Sequence, residues 1–337
     1  MKLKLSAVQI ALGLIWSCSV LADYDKGVAA DKREDYAIAL REFRASAQTG
    51  EARSQAALGD MYRDGKGVPE DLAQAALWYR KAADQAVASA QLSLGAQYLV
   101  GKGVPRDPAQ GVAWVRKAAD QGLAEAQYLL ALKYLGGGVL PRDETQSIAL
   151  MRKAADQGLA EAEADLGIEY VSGTAMPRDY AQALLWTRKA AEQGVPRAQS
   201  TLGQMYRKGQ GVSADDAQAV AWYRKAADQG YINAQYNLGL MYMIGKGVPR
   251  DYAQAAAWYR KAGDQGDADA LCALGSMYEA GVGFPKNFVT ADMFMIFGTA
   301  NEHGCQDRRS ALEARMTADE LNAAKAKAKE QSLKEKN

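Results

Sequence analysis

Apolar residues recur along most of this chain with a 36-residue period, and within each period they follow helical spacing. Leucine and tyrosine fill two columns four residues apart, as in Leu58 and Tyr62. Residues at i and i+4 share one face of an α-helix, so this face is predicted to be core. The columns hold Leu58, Leu94, Leu130, Leu166, Leu202, Leu238 and Leu274, then Tyr62, Tyr98, Tyr134, Tyr170, Tyr206, Tyr242 and Tyr278, with Trp78, Trp114, Trp186, Trp222 and Trp258 in a third.

Each period is predicted to form two helices joined by a turn. In the first period, the turn at residues 65–69 contains two glycines and a proline, which end the first helix. Asp71 then starts the second helix with Gln74 three residues on, a spacing that predicts a capping box. One helix pair cannot bury its apolar face alone, so the pairs are expected to stack. The predicted fold is all-α, a right-handed α-solenoid of helix-turn-helix repeats.

The repeated motif resembles that of a known family. It reads Leu-Gly-x-x-Tyr, then Gly-x-Gly-Val-Pro-x-Asp, then Ala-x-x-Trp-Tyr-Arg-Lys-Ala-Ala-x-Gln-Gly, and residues 234–266 come close to it throughout. This pattern is similar to the Sel-1-like repeat, a longer-looped relative of the tetratricopeptide repeat. The resemblance covers about residues 35–302. The third repeat departs from it with displaced loop glycines (residues 135–141), and the fourth lacks the second loop glycine (residues 173–177).

The N-terminus has the layout of a secretory signal peptide. Lys2 and Lys4 precede an apolar run at residues 5–16, and small residues lead to a cleavage point after Ala22. We therefore expect an exported protein in the periplasm, with a secreted or surface-associated location and lipidation at Cys18 left open. The predicted organisation is a signal peptide (1–22), an N-terminal partial repeat or cap (23–50), seven repeats (51–302), a C-terminal helical cap (303–330) and a disordered tail (331–337).

Composition argues against several function classes. The chain has 41 Lys+Arg against 40 Asp+Glu, whereas nucleic-acid binding needs a surplus of basic residues. His303 is the only histidine, so the chain has few side chains that could bind a metal or take part in histidine-assisted catalysis. We therefore expect that the protein binds no cofactor and is not an enzyme. The paired basic residues such as Arg80 and Lys81 are interpreted as a solvated row, offset by an acidic residue three positions after each lysine.

Two cysteines remain after signal cleavage. An oxidising compartment permits a disulfide between Cys272 and Cys305 but does not require one. The alternative, that both are unpaired small hydrophobic residues, is equally consistent with the sequence.

One stripe of the first helix differs from repeat to repeat. It lies at i, i+3 and i+7, beside the leucine and tyrosine face, and begins at residues 57, 60 and 64 in the first repeat. The resemblance implies that first helices line the concave surface of the superhelix, where a variable stripe would suit a specific groove; drift on an unselected surface is the alternative. The predicted partner-binding residues are Leu129, Leu132, Asp165, Ile168, Thr201, Gln204, Asn237, Leu240 and Ile244.

These observations favour an exported protein-protein interaction scaffold that uses its concave face in envelope regulation, assembly or host interaction. No nucleic acid and no membrane span after cleavage are expected; the oligomeric state stays open. Two alternatives remain. One is a cell-wall-directed hydrolase resembling the cysteine-rich relatives described as β-lactamases, although the regular cysteine pair of those repeats is missing here. The other is a carbohydrate-binding scaffold of an exopolysaccharide system.

Overall fold

The computed structural model describes residues 23–299 and 303–334, and in those residues every regular element is an α-helix. The predicted signal peptide and Cys18 lie outside them. The helices are α1 (residues 23–31), α2 (Tyr36–Gln48), α3 (Ala52–Asp64), α4 (Leu72–Asp84), α5 (Ala88–Val100), α6 (Pro108–Asp120), α7 (Ala124–Gly136), α8 (Glu144–Asp156), α9 (Ala160–Ser172), α10 (Tyr180–Glu192), α11 (Pro196–Lys208), α12 (Asp216–Asp228), α13 (Ile232–Ile244), α14 (Tyr252–Gly263), α15 (Ala268–Ala280), α16 (Phe288–Gly298), α17 (His303–Glu313) and α18 (Ala318–Lys334).

The chain forms two compact units, which divide between Ala162 and Glu163, inside α9. Within the first unit, α3 packs against α4 and α4 against α5, and this order continues to α8; within the second unit the same order runs from α10 to α16. We call α3, α5, α7, α9, α11, α13 and α15 the first helices, and the helix that follows each of them the second helix. The predicted all-α solenoid of helix-turn-helix repeats is confirmed.

The core follows the repeated columns. Leu58 and its equivalents are fully buried or nearly so, together with alanines of the second helices. The glycine after the leucine is needed for close approach: a Cβ on Gly59 would lie 2.6 Å from Cδ1 of Tyr79 on the second helix. Real Cβ atoms do not approach so closely, so a side chain at Gly59 would force Tyr79 to move. In the third repeat Ala131 takes this position, the residue equivalent to Tyr79 is the flexible Met151, and the Ser147 hydroxyl donates to the Ala131 carbonyl at 2.8 Å.

The predicted capping box is only half right. Asp71 caps α4 by accepting from the backbone N–H groups of Ala73 and Gln74, and the corresponding aspartates cap the later second helices. The glutamine does not complete the box, because the Asp71 N–H already donates to the carbonyl of Tyr62 at 2.9 Å. A complete box does form before α18, where Thr317 N–H donates to Glu320 and Glu320 N–H donates to the Thr317 hydroxyl.

The basic row is also used differently from the prediction. In the five second helices that contain a tryptophan, the lysine lies over that ring, 3.8–4.3 Å from its centroid, as Lys81 lies over Trp78. The preceding arginine reaches the next repeat, as Arg116 donates to the Tyr134 hydroxyl at 3.2 Å. Among the ion pairs of the described residues, none joins such a lysine to the acid three positions later. Stacking on an aromatic face desolvates little of the ammonium group and fixes the ring, so these cations hold the aromatic columns in place.

A row of glutamines links successive repeats, and the sequence analysis did not predict it. Gln85 Nε2 donates to Gln55 Oε1 at 2.8 Å, and Gln55 Nε2 donates to the buried carbonyl of Ala47. The same amide-to-amide bond recurs along the chain, and in the fourth repeat Gln193 donates to Glu163 instead. The amide-to-amide bond joins the two helices of one repeat, whereas the bond to the carbonyl satisfies the end of the preceding second helix and so links neighbouring repeats.

The last helices cover the seventh repeat. Ala324 and Ala328 of α18 are buried, while the buried Asp292 of α16 pairs with Arg309 of α17 at 2.8 Å. A disulfide joins Cys272 of α15 to Cys305, with 5.8 Å between the Cα atoms. The prediction of a disordered tail from residue 331 is wrong for its first four residues. The helix α18 continues to Lys334, since this stretch is rich in strong helix formers.

Candidate partner-binding site

The predicted stripe lies on the first helices, but its apolar members are less exposed than the hypothesis assumed. Ile244 alone is clearly exposed, at 46%, whereas Leu129, Leu132, Ile168 and Leu240 are half-buried. Leu240 packs beside the core of α14, α15 and α16. This follows from helix geometry, because a residue close in angle to the leucine face lies at the rim of the core instead of on open surface.

Asp165 has a structural partner. Its carboxylate forms an ion pair with Arg197, which bridges the consecutive first helices α9 and α11. Both side chains are mostly covered by protein. A partner protein would have to compete with that bridge to use Asp165, so this residue contributes to the site by fixing the two helices.

Three of the predicted residues meet in one recess. Thr201 and Gln204 of α11 lie beside Asn237 of α13, in a cavity of about 290 Å³ that α15 also borders. Gln204 makes no side-chain hydrogen bond within the described residues, whereas Thr201 and Asn237 donate to carbonyls of their own helices. We call this cavity the polar recess; it is lined by Ser200, Thr201, Gln204, Tyr231, Asn233, Tyr236, Asn237, Asp267 and Asp269.

The polar recess has acidic and aromatic character. Asp267 caps α15 by accepting from Ala270 N–H at 2.7 Å, and Asp269 lies in the first turn of the same helix. Burial, reinforced by these two carboxylates, raises the pKa of the Tyr236 phenol. The phenol therefore stays a neutral hydrogen-bond donor over the whole physiological range, beside acceptors of both charged and amide type.

A second recess lies in the other unit, between α3, α4 and α5. Its volume is about 440 Å³ and its walls are mainly apolar, with Val100 the most exposed of them at 61%. Three variable positions of the same stripe line it, at residues 93, 96 and 100. We call it the apolar recess; it is lined by Arg63, Glu70, Leu72, Tyr79, Leu92, Ser93, Ala96, Gln97, Val100 and Lys102.

One edge of the apolar recess is held by a polar network. The buried Tyr79 hydroxyl donates to Asp60 at 2.7 Å, and Arg63 pairs with both Asp60 and Asp64. Burial raises the pKa of Asp60, although the Tyr79 bond and the Arg63 charge act in the opposite direction. Lys102 and Glu70 have no such partners within the part of the chain that the structure describes.

Sequence reasoning missed several recess residues, although a signal was present. Asn233 and Asp269 belong to a column near the start of each first helix that changes charge from repeat to repeat. The predicted stripe lies nearer the core face and does not include this column. The column comprises Arg53, Ser89, Glu125, Glu161, Arg197, Asn233 and Asp269.

Residues 23–299 and 303–334 meet neither the requirements of a metal site nor those of a membrane-spanning helix. There, His, Cys, Asp and Glu side chains form no group of three able to hold a metal ion. No helix in the same residues combines the length and apolar character of a membrane span.

Comparison with known proteins gives a consistent result. A family model described as the Sel1 repeat matches seven consecutive segments, at residues 52–87, 88–123, 124–159, 160–195, 196–231, 232–267 and 268–291. Among solved structures, the chain is 32% identical to a protective antigen of uropathogenic Escherichia coli that displays an SLR fold; the match covers 92% of this chain and 76% of that one, with a TM-score of 0.64. It is 36% identical to a Sel1 repeat protein from Oxalobacter formigenes, with 87% of each chain covered and a TM-score of 0.63. The search of curated proteins gave no match.

Proposed function

Because the chain belongs to the Sel1 repeat family, we propose that it is an exported scaffold that binds a protein partner through its first helices. The observation that carries this proposal is the polar recess. There the variable residues Thr201, Gln204 and Asn237 of two different repeats line one cavity, while the repeated columns beneath them stay constant. A framework that conserves its core and varies one lined surface is suited to selective binding without catalysis.

Export to the periplasm is part of the proposal, with roles in envelope regulation, assembly or host interaction. Its support is the charged-apolar-small order of residues 1–22 and the disulfide between Cys272 and Cys305, since disulfides persist in oxidising compartments. The similar Escherichia coli protein is a protective antigen, which is compatible with export of this one. Cell fractionation tests the location: recovery of the full-length, uncleaved chain in the cytoplasmic fraction would contradict it.

Partner binding is tested with a pair of equally exposed residues. Ile244 on a first helix and Leu185 on a second helix are both 46% exposed. Ile244→Lys is expected to reduce recovery of the cognate partner from envelope extracts at least about tenfold, because a charge would be buried in the interface. Leu185→Lys should leave recovery unchanged, with the far-ultraviolet circular dichroism of both variants intact.

Two further variants extend this test to the half-buried stripe. Leu132→Asp and Leu240→Lys are expected to abolish capture if the helical circular dichroism is retained. If Ile244→Lys and both of these bind as well as the unaltered chain, the first helices are not the binding surface.

A carbohydrate ligand is a second candidate, favoured by the side chains of the polar recess. Tyr231 and Tyr236 offer ring surfaces, and Asn233, Asn237 and Asp269 offer hydrogen-bonding groups of the kind that bind hydroxyls. Calorimetry with exopolysaccharide fragments tests it. Saturable binding that Tyr236→Ala removes would favour this function over a protein partner.

A further inference from the structure

We propose that the apolar recess is a subsite for one apolar side chain of a partner polypeptide. The backbone N–H of that residue donates to Gln97 Oε1, and a carboxylate next to it pairs with Lys102. This proposal rests on the proposed function, since the occupant is a segment of the protein partner.

The first observation is the glutamine that lines the recess. Gln97 lies in a column of the first helices that holds buried methionines in four other repeats and the polar residues Lys133 and Glu169 in the remaining two. Gln97 is only 8% exposed, and its Oε1 has no hydrogen-bond partner in the described part of the protein. A buried acceptor without a donor costs about 1–3 kcal/mol, so the replacement of methionine by glutamine is not explained by stability. The methionines are Met61, Met205, Met241 and Met277.

The orientation of the Gln97 amide is determined by its other end. Nε2 donates to the carbonyl of Leu72 at 3.2 Å. If the Gln97 amide were reversed, its Oε1 would face the Leu72 carbonyl oxygen, and two acceptors would repel each other. Gln97 Oε1 is therefore the atom that can accept a hydrogen bond from a ligand. Val100 and Lys102 at the rim are exposed, and a ligand can displace such side chains at little cost. A peptide N–H is the donor that accompanies an apolar side chain into a recess.

The second observation is the apolar wall. Leu72, Leu92, Ala96 and Val100 line a cavity of about 440 Å³, and Val100 is left 61% exposed. Covering this surface with an aliphatic or aromatic side chain removes apolar area from water on both partners. An open apolar recess among variable positions is the usual form of an anchor site for one side chain.

The third observation is the charge at the rim. Arg63 is already paired with Asp60 and Asp64, whereas Lys102 has no ion-pair partner among the described residues. Lys102 is therefore the cation that remains for an incoming carboxylate. Glu70, also at the rim, disfavours a strongly acidic segment, so the recess is suited to one carboxylate beside an apolar residue.

The test uses three small probes on the full chain, followed by ¹H–¹⁵N correlation spectra. N-acetyl-L-phenylalanine carries the side chain, the N–H and the carboxylate. Its N-methyl derivative lacks the N–H, and N-acetyl-L-phenylalaninamide lacks the charge. The acid is expected to shift the signals of Ala96 and Val100 saturably, with a dissociation constant of about 1 mM or above, and to bind about fivefold more tightly than either analogue.

Two variants separate the contributions. Gln97→Met should weaken the acid about fivefold and remove its advantage over the N-methyl analogue, while the unfolding temperature rises. Lys102→Ala should remove only the preference for the acid over the amide. Met241→Leu, in the same column of the other unit, serves as the control and should change no affinity.

The outcomes distinguish this subsite from the scaffold function. Equal binding of the acid and its N-methyl analogue, or an unchanged affinity in Gln97→Met, would overturn the proposal. Suppose that one of these results is obtained, while the unaltered chain still captures its partner and Ile244→Lys does not. The scaffold function then stands, and only the subsite is wrong. If capture is independent of the first helices, the scaffold function is wrong, and saturable binding of the probe then shows a small-molecule site alone.

Discussion

The apolar recess and the polar recess are built on the same framework and have opposite surfaces. The apolar recess lies between α3, α4 and α5, and the polar recess lies between α11, α13 and the start of α15, so the two use largely different columns of the repeat. In the first unit, Leu92, Ala96 and Val100 form an apolar wall; in the second, Thr201, Gln204 and Asn237 take part in a polar one. The comparison teaches that one repeated framework can form recesses at different places, and that the columns lining each place decide what the recess can bind.

The difference extends to buried residues, because one core column changes its residue and another keeps its tyrosine but changes the hydrogen-bond partner. Gln97 at the apolar recess corresponds to Met241 in the sixth repeat, and Tyr79 corresponds to Tyr223. Tyr79 donates to Asp60, whereas the buried Tyr223 hydroxyl has no partner in the described residues. Matched substitutions at these positions test whether the first recess has been altered for binding at a cost in stability.

The largest effect on stability is expected from exchanging glutamine and methionine at the equivalent positions 97 and 241. Met241 is fully buried, so Met241→Gln leaves an amide group unsatisfied and should lower the free energy of unfolding by about 2–3 kcal/mol. Gln97→Met should raise it by about 1–2 kcal/mol. Urea unfolding measures both. A loss of stability in Gln97→Met would show that the glutamine is a structural residue and would remove the main argument for the subsite.

A smaller effect is expected from the tyrosine pair. Tyr79→Phe removes a hydrogen bond to a carboxylate and should cost about 1–2 kcal/mol of unfolding free energy. Tyr223→Phe removes a hydroxyl that has no partner among the described residues and whose pKa burial raises to about 12, so stability should stay the same or rise. Equal losses in the two variants would contradict the difference between the units. Thermal unfolding at one pH provides the measurement.

The smallest effect is expected at the connections that lead into the recess helices. Ala86, before α5, has φ +65°, whereas Gly230, before α13, has φ +84°. A left-handed conformation costs an alanine about 1–2 kcal/mol, partly offset by its lower entropy in the unfolded chain. Ala86→Gly should therefore stabilise the protein by up to about 1 kcal/mol, and Gly230→Ala should destabilise it by a similar amount. A change of the same sign in both would indicate that packing, not backbone strain, controls this position.

Much of the fold was predictable from the sequence because the same local pattern of residues recurs from repeat to repeat. Spacing and residue type account for the leucine face, the glycine beside Tyr79, the aspartate caps and the all-helical solenoid. The capping glutamine was mispredicted because the Asp71 N–H is taken by Tyr62, a contact across the turn that no local pattern shows. The basic row is mainly exposed, as predicted, but its acidic partners were mispredicted for the same reason, since the partner of Arg116 is in the next repeat.

The partner-binding residues stay a prediction, and the sequence indicated only part of the surroundings in which the structure places them. The variable stripe identified Thr201, Gln204 and Asn237, yet it gave no sign that Asp165 would pair with Arg197 or that Leu240 would be half-buried. It also left out Gln97, because the stripe does not include the column to which that residue belongs. Variation within a core column is a signal that a comparison of surface columns alone does not use.

The sequence by itself determined the repeat, its helices and the buried columns, because helix formation and core burial depend on spacing within a single 36-residue unit. The tertiary structure alone decided which residues of different repeats share a recess, and which buried polar atoms find partners. Those outcomes depend on contacts between residues about 18 to 36 positions apart, such as Arg116 with Tyr134 and Gln85 with Gln55. Only packing brings such pairs within hydrogen-bond distance.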